Sequence, residues 1–234
     1  MPDFRSRATD AEWMDGPAVS EAEFAACMND LAIVNSVTFA RPPTIAFVAE
    51  ALKRSGGRPL TLLDVGFGAG DMLRAIQRFC RKRGVAVRLI GIDLNPRSLS
   101  AARAATPPDM AIEYRIGDLY DLPDNETIDL VISSLVTHHM ADAEIVRFLR
   151  WMTERARIGW FVNDLHRHPV AYHGFRLLSA TMRWHPFVRH DGPLSVARAF
   201  RREDWDGIIG AAGLTGTTAL RWHFPFRYCV TRWA

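Results

Sequence analysis

Short apolar runs alternate with amphipathic helical patterns through the middle of the chain. Runs typical of buried strands cover 61–67, 85–94, 110–119, 128–137 and 158–165. Helical spacing of apolar residues predicts helices over 71–84, 95–105 and 141–156, and the second is predicted to begin at Asn95 and Pro96. Because strands that alternate with helices usually pair in parallel, this order predicts an α/β fold with helices on both faces of the sheet.

The end of the chain and the region after the fifth strand have different patterns. Residues 217–233 are predicted to form two strands joined at Pro225. Residues 170–188 carry Phe, Leu, Met and Trp at near-helical spacing. Such a segment is either a helix that packs on the sheet or a lid over an apolar pocket, and the pattern leaves both open.

A glycine-rich stretch, LLDVGFGAGD, joins the first strand to the first helix of this region. Gly66, Gly68 and Gly70 let the backbone approach a ligand closely, and the helix N-terminus adds free N–H groups. A nicotinamide-binding GxGxxG loop would place its third glycine at position 71, where this chain has Asp71. A ligand that combines an amino group, a carboxylate and an adenosine fits this loop better.

Two more acids follow the next two strands. Asp93 ends the second strand, where a carboxylate can accept hydrogen bonds from both ribose hydroxyls. Asp118 ends the third strand and can accept a hydrogen bond from an adenine amino group. A single aspartate at such a place is usually a turn residue. Together with the glycine loop, however, the two acids predict a nucleoside-binding site along the carboxyl edge of the sheet.

Composition narrows the protein class only modestly. The 234 residues are 48% apolar and 24% charged, which suits one globular domain with an elaboration or two. A net charge of +3 permits an acidic partner without requiring one. The sequence has neither an apolar run of the ~20 residues that a membrane span needs nor the apolar core of a secretory signal at its start. Cys27, Cys80 and Cys229 are predicted to be reduced core thiols, which favours a cytoplasmic location.

Four segments, LLDVGFGAGD, GIDLNP, GDLYDLP and IDLVISSLVTHHM, resemble the successive motifs of class I S-adenosylmethionine-dependent methyltransferases. The resemblance covers about residues 60–165 and is greatest to the small-molecule group that includes ubiquinone and menaquinone biosynthesis methyltransferases. The flanking segments 30–52 and 163–205 resemble bacterial methyltransferases of specialised metabolism, some of them encoded beside polyketide synthases. The resemblance implies a Rossmann-like, doubly wound, seven-stranded sheet that ends in an antiparallel C-terminal hairpin, with N-terminal helices and a helical cap.

The resemblance also implies S-adenosylmethionine as the cofactor and a set of residues that bind it. Carried over residue by residue, the contacts are Asp64, Gly66, Gly68 and Gly70 with the methionine part, Asp93 with the ribose, Leu94, Asp118 and Leu119 with the adenine, and Ser134 near the sulfonium. Phe67 stands in this loop where a small or polar residue is commoner, so we expect it to narrow the pocket.

The domain organisation expected from the resemblance places the substrate under helices. Residues 1–55 are predicted to form a helical cap over the active site. Residues 56–234 are predicted to form the methyltransferase domain, with a substrate-covering insertion at about 166–200. The expected partner is a small-molecule substrate, with no nucleic acid or membrane, and the expected state is a monomer or homodimer.

The predicted reaction is O-methylation of a phenolic or enolic hydroxyl on an aromatic or polyketide-derived metabolite. A phenol reacts better as phenolate, so a nearby base assists the transfer. The candidate bases are His138 and His139 after the fourth strand and His166 after the fifth, although a lone histidine is usually structural. His190 with Asp191 forms a further possible pair of base and orienting acid.

Four alternatives stay open at this point. The enzyme could methylate carbon in a quinone-type ring, or it could be a non-catalytic regulator that only binds the cofactor. A metal-dependent catechol methyltransferase would use Asn163 and Asp164, but Ser133 and Ser134 replace the carboxylates it needs after the fourth strand, so no metal is expected. A nucleic-acid methyltransferase would use the basic and aromatic residues of 147–202, but SSLVTHHM lacks the NPPY-like turn of that class.

Overall fold

The computed structural model describes residues 3–234 and has one seven-stranded sheet at its centre. The strands are β1 Leu60–Val65, β2 Val87–Asp93, β3 Ile112–Ile116, β4 Ile128–Ser134, β5 Ala156–Leu165, β6 Ala219–His223 and β7 Arg227–Trp233. Their spatial order is β3-β2-β1-β4-β5-β7-β6. The first five strands are parallel, whereas β7 runs antiparallel to both β5 and β6. The predicted doubly wound sheet with a C-terminal hairpin is therefore confirmed.

Eight α-helices surround the sheet in the described part of the chain. They are α1 Glu21–Val37, α2 Arg41–Arg54, α3 Asp71–Arg81, α4 Pro96–Ala105, α5 Asp142–Arg155, α6 Pro169–Thr181, α7 Pro186–Arg198 and α8 Arg202–Ala212. Within residues 3–234 no single helix is long and apolar enough to cross a bilayer, although α1 and α2 together, bent by 72°, reach the required length and composition.

The two faces of the sheet have separate apolar cores, because successive strand residues point to opposite faces. Leu62, Leu89 and Leu130 pack under α2, α3 and α4 on one face. Val131 and Trp160 pack under α5 and α8 on the other. The three cysteines are buried and free, as predicted from their number and spacing.

Several predicted strands and helices end earlier in the structure than the apolar pattern suggests. The fourth strand ends at Ser134 because Leu135 has a left-handed backbone (φ 61°) and the chain then forms a short turn of 3₁₀ helix over Thr137–His139. The segment 170–188 is not one helix, since α6 ends at Thr181 and α7 begins at Pro186. Both helices lie after β5, and α6 packs against α7 rather than flat on the sheet.

Candidate active site

The glycine loop between β1 and α3 is too tightly packed for side chains at two of its positions. Gly66 has φ 76°, and a Cβ there would come within 2.3 Å of a Val136 methyl group. Gly70 has φ 71°, and a Cβ there would come within 2.3 Å of the Tyr114 hydroxyl. Both residues need the backbone freedom of glycine. The loop thus keeps bare backbone at the start of α3, which is a cradle that suits a ligand held by N–H groups.

Asp93 connects the glycine loop to the end of β2. Its Oδ2 accepts a hydrogen bond from the Gly68 N–H at 2.9 Å, and its Oδ1 accepts one from the Asn95 N–H at 2.9 Å. Burial raises the pKa of this carboxyl despite these two bonds. The adjacent Leu94 is 73% exposed, so its apolar side chain is free to contact a ligand. Asn95 also caps α4 by accepting the Arg97 N–H, as predicted.

Other predicted cofactor residues are buried or make hydrogen bonds within the protein. Asp64 is buried at the end of β1, and burial, followed by the charges of Asp71 and Asp93, raises its pKa well above the ordinary value. The Asp118 side chain accepts the Tyr120 N–H, and Leu119 packs into the core.

Phe67 and Ser134 occupy two further predicted positions. The Phe67 ring turns into the core against Tyr114, with ring centres 4.9 Å apart. It also lies over Gly91, where any Cβ would come within 2.8 Å of it. Ser134 stands at the carboxyl end of β4, and its hydroxyl lies 3.4 Å from the Thr44 hydroxyl of α2.

One cavity of about 660 Å³ joins several of the predicted cofactor residues to an apolar chamber. On the sheet side it is lined by Gly66, Phe67, Gly68, Asp93, Leu94 and Ser134. On the helical side its lining includes Phe24, Met28 and Leu31 of α1, Phe175 and Leu178 of α6, and Val188 of α7. Asp64, Gly70, Asp118 and Leu119 are not among the described residues that line it. The arrangement offers a polar half and an apolar half within one space.

A buried histidine and aspartate form a pair beside the cavity, at the carboxyl ends of β4 and β5. His138 lines the cavity, and its Nδ1 atom lies 2.8 Å from Oδ1 of Asp164 at the end of β5. Asp164 also accepts hydrogen bonds from the His138 N–H, the Leu165 N–H and the Thr137 hydroxyl. A carboxylate accepts hydrogen bonds, so the ring proton sits on Nδ1 and Nε2 keeps its lone pair.

The charges of this pair set their protonation. Burial alone lowers the pKa of His138, but the charge and hydrogen bond of Asp164, followed by the charge of Glu12, raise it above the ordinary value. Burial alone raises the pKa of Asp164, but the His138 charge and the hydrogen bonds from His138 and Thr137 bring it to about 2. The pair therefore favours an ionised Asp164 and a His138 that is more basic than a free imidazole.

Glu12 approaches both histidines from the N-terminal segment. Its carboxylate oxygens lie 3.9 Å from Nε2 of His138 and 3.9 Å from Nε2 of His139, and it accepts the Ser195 hydroxyl at 2.7 Å. Glu12 is 4% exposed, and burial is the main reason that its pKa is raised. The possible ligand atoms of Glu12, His138 and His139 all lie within 4.8 Å of one another, a spacing that could hold a metal ion.

The remaining candidate bases have different surroundings. Burial, then the neighbouring His138 and Arg198, lower the pKa of His139. His166 lies outside the described cavity lining, accepts the Trp222 indole N–H at 3.2 Å, and has a pKa lowered to about 4 by burial and the charge of His168.

The predicted pair of His190 and Asp191 forms, with Nδ1 and Oδ1 2.7 Å apart, but it holds the N-terminal segment. The two Asp191 carboxylate oxygens accept the N–H groups of Trp13 and Met14, each at 2.9 Å. The Trp13 indole stacks on the His190 ring at 3.6 Å. These contacts of the two residues after Glu12, together with its hydrogen bond from Ser195, hold Glu12 at the cavity.

Three residues of this site did not stand out in the sequence. Glu12 lies in an irregular segment and meets Ser195 only through the fold. Asp164 drew attention only as a possible metal ligand. Arg227 lines the cavity from the start of β7, and the sole signal for it was a charged residue within the apolar run FPFRYCV.

Known methyltransferases share parts of this sequence. Residues 62–159 match the family described as "Methyltransferase domain". The ubiquinone biosynthesis O-methyltransferase of Paramagnetospirillum magneticum (strain ATCC 700264 / AMB-1) is 35% identical over 101 residues, which are 43% of this chain and 37% of that protein. The protein of the same name from Nitrobacter winogradskyi (strain ATCC 25391 / DSM 10237 / CIP 104748 / NCIMB 11846 / Nb-255) is 26% identical over 164 residues, covering 66% of this chain and 59% of that one. These matches thus span less than two thirds of either relative.

The fold is also shared with solved structures. The plantazolicin methyltransferase BpumL, crystallised with a triazolic desmethylPZN analog and SAH, superposes with a TM-score of 0.64 at 11% identity. The match covers 91% of this chain and 96% of that chain. At this identity the likeness shows the fold alone.

Proposed function

We propose that the chain is a class I methyltransferase that transfers a methyl group from S-adenosylmethionine to a hydroxyl of a small, largely apolar metabolite. The match of residues 62–159 to a methyltransferase family and the shared fold support this proposal. The observation that carries this proposal is the cavity of about 660 Å³ that joins the glycine loop to an apolar chamber, with His138 in its lining. An aromatic or polyketide-derived acceptor with a phenolic or enolic hydroxyl fits such a chamber.

The chemical groups on the sheet side of the cavity fit the cofactor. Gly66 and Gly68 offer bare backbone, Asp93 offers a carboxylate for the ribose, and Leu94 offers an exposed apolar side chain for the adenine. Ser134 would lie near the sulfonium. The match to a methyltransferase family and the SAH-bound BpumL structure support the same cofactor. When bound, S-adenosylmethionine supplies an electrophilic methyl group that the acceptor oxygen displaces from sulfur.

The helical side of the cavity fits the acceptor. Side chains such as Phe24, Leu31, Phe175 and Leu178 would be removed from water on binding, at a gain of about 25 cal/mol per Å² of apolar surface. A sugar or a peptide backbone would leave polar groups without partners there. An aromatic acceptor is therefore favoured on solvation alone.

His138 is the best-placed general base for this reaction. Asp164 fixes the ring with Nε2 free, so Nε2 can take the proton of the acceptor hydroxyl as the oxygen attacks. The resulting imidazolium lies between Asp164 and Glu12, which stabilise its charge. His139 is a weaker base because its pKa is lowered, and His166 lies away from the cavity.

A metal-assisted version of the same reaction is favoured by one observation, the spacing of Glu12, His138 and His139. A divalent ion there would polarise the acceptor hydroxyl directly, in place of a base. Incubation with EDTA followed by Zn²⁺ addition separates the two versions. Activity that survives EDTA supports His138 as the base, and activity that is lost and then restored by Zn²⁺ supports the ion.

The experiment that tests the function is transfer of an isotopically labelled methyl group to a panel of acceptors. Naphthols and anthraquinone phenols represent O-acceptors, and quinones with a free ring position represent C-acceptors. Mass spectrometry with fragmentation locates the label on oxygen or carbon. Label on phenolic oxygen is the expected result, and transfer only to ring carbon or to nucleic acid contradicts the proposal. A cytoplasmic location and the monomer or homodimer stay predictions.

A further inference from the structure

A buried arginine lines the apolar chamber without a full set of partners. Arg227 is 2% exposed, and its Nη2 donates to the Thr38 hydroxyl at 3.2 Å. Its Nε and Nη1 groups find no hydrogen-bond acceptor within residues 3–234. Two unpaired donors on a buried cation are costly, because the charge has lost its water and gained little in return.

The other buried arginines of this protein are satisfied in a way that Arg227 is not. Arg167 is 1% exposed and binds the carbonyls of Ala199 and Phe4 as well as the Asp204 carboxylate. Arg74 donates to the Ala69 carbonyl. Arg232, farther along β7, has one unpaired buried nitrogen, its Nε, whereas Arg227 has two and lines the cavity.

The nearest buried carboxylate does not supply the missing partner. The Asp164 charge acts on Arg227 through space, but Asp164 already accepts four hydrogen bonds from His138, Thr137 and Leu165. Burial lowers the pKa of Arg227 to about 10, which leaves the guanidinium charged at neutral pH. The chamber therefore presents a fixed positive charge with free donors.

The position of Arg227 in the sheet places its charge away from the glycine loop, on the side of the cavity where we expect the methyl acceptor. Arg227 begins β7 and pairs with Leu165 at the carboxyl end of β5. The glycine loop follows β1, and the sheet order β1-β4-β5-β7 puts two strands between β1 and the strand that carries Arg227. Phe226 and Thr38 line the cavity beside it.

We propose that Arg227 binds a carboxylate on the methyl acceptor, so that the substrate class is an aromatic hydroxy acid or a polyketide-derived acid. This inference rests on the proposed function, since it names the substrate that the chamber takes. The carboxylate accepts charge-assisted hydrogen bonds from Nε and Nη1, while the apolar body of the acceptor contacts α1, α6 and α7. The hydroxyl at the other end of the acceptor then faces His138.

The test compares aryl carboxylates with their neutral amides. Benzoate, 2-naphthoate and anthracene-2-carboxylate are titrated calorimetrically into the full-length protein saturated with SAH, each beside its own carboxamide. The wild type is expected to bind at least one acid about 10-fold or more tightly than its amide, because a charge-assisted hydrogen bond outweighs a neutral one. The variant Arg227→Met keeps the apolar length and should lose that preference.

A matched control is Arg221→Met on the neighbouring strand β6. Arg221 is exposed, and its substitution removes the same net charge. It should keep the preference for acids. Equal binding of every acid and amide by the wild type, or an acid preference that survives in Arg227→Met, overturns the proposal. SAH affinity that falls in Arg227→Met while acid binding persists assigns the charge to the cofactor's carboxylate instead, and also overturns it.

A second measurement separates binding from a structural role. An uncompensated buried cation destabilises the free protein, so Arg227→Met should melt at the same temperature as the wild type or higher. A melting temperature several degrees lower would assign Arg227 to the fold. Failure of the wild type to bind SAH at all would contradict the proposed function, and the acid preference measured without SAH would still decide the role of Arg227.

Discussion

The Nδ1 atom of His138 lies 2.8 Å from Oδ1 of Asp164, and the two side chains are 4% and 0% exposed. His138 follows β4 and Asp164 ends β5, so the pair exists because these two parallel strands are neighbours. The carboxylate fixes the proton on Nδ1 and leaves Nε2 facing Glu12 and the cavity. This relationship fixes the tautomer of the histidine that we propose as the base.

Replacing His138 should slow the chemical step without disturbing the cofactor. His138→Gln is expected to reduce kcat by about 10²–10⁴-fold, because the acceptor loses its proton without help. SAH affinity, measured by calorimetry, should change less than about 2-fold, because His138 contacts Asp164 and Glu12. His166→Gln is the matched control and should keep near-normal turnover. A His138→Gln enzyme with the wild-type rate would remove histidine from the mechanism.

The pH dependence of kcat follows from the charges around His138. The net effect of burial, Asp164 and Glu12 raises the His138 pKa above 6.5, and only the neutral ring accepts a proton. Turnover should therefore rise with pH, with its midpoint above 6.5. Asp164→Asn removes the negative charge that favours the imidazolium, so its midpoint should move to lower pH. Profiles of kcat against pH from pH 5.5 to 9.5, at saturating substrate, measure both midpoints. An unchanged midpoint in Asp164→Asn would contradict the coupling between Asp164 and His138.

Asp191 should control acceptor binding through the N-terminal segment. Asp191→Ala removes the acceptors of the Trp13 and Met14 N–H groups, so Glu12 is no longer held over the cavity. Hydrogen exchange at residues 12–16 should accelerate, and KM for the acceptor should rise about 10-fold or more, the scale of lost bonds to a charged group. His190→Ala removes the stacked ring and one hydrogen bond to Asp191 but keeps both carboxylate acceptors, so it should have a smaller effect. Unchanged exchange in Asp191→Ala would mean that other contacts hold the segment.

Gly66 should tolerate no side chain. Gly66→Ala combines a left-handed backbone with a Cβ 2.3 Å from Val136, so the free energy of unfolding should fall by about 1–2 kcal/mol or more, with weaker SAH binding. Gly207→Ala in α8 is the control, because nothing lies within 4 Å of its Cβ, and it should gain about 0.5–1 kcal/mol. Thermal melting and calorimetry measure both variants. Full SAH affinity in Gly66→Ala would contradict the role of the loop.

The elements that could be predicted from sequence are those written in local patterns. The buried strand at Ile128–Ser134 is a continuous apolar run, and Asn95 caps α4 through its own side chain. The end of β4 could not be predicted, because Leu135 is apolar yet takes a left-handed conformation as the chain turns toward His138. The local sequence pattern indicates which residues are buried, whereas the position of the turn depends on the long-range contacts at the end of the strand.

The part of the site around Glu12 and His138 depends on long-range contacts, so little of it could be predicted from the sequence. Glu12 meets Ser195 across 183 positions of chain, and Arg7 reaches the carbonyls of His138 and Met140 from a segment without helix or strand periodicity. The cofactor residues were easier to predict, because Gly66 and Asp93 sit in short motifs that the resemblance covers. Their contacts with the cofactor stay predictions.

The most direct test of the central claim, that this fold uses its glycine loop and Asp93 to bind S-adenosylmethionine, is a calorimetric titration with SAH. The wild type should bind one SAH per chain, and Asp93→Ala should bind it at least about 10-fold more weakly, because the ribose loses a charged acceptor. Asp206→Ala, an exposed change on α8, should bind like the wild type. NADH should give no heat of binding. A wild type that binds NADH and ignores SAH would contradict the account.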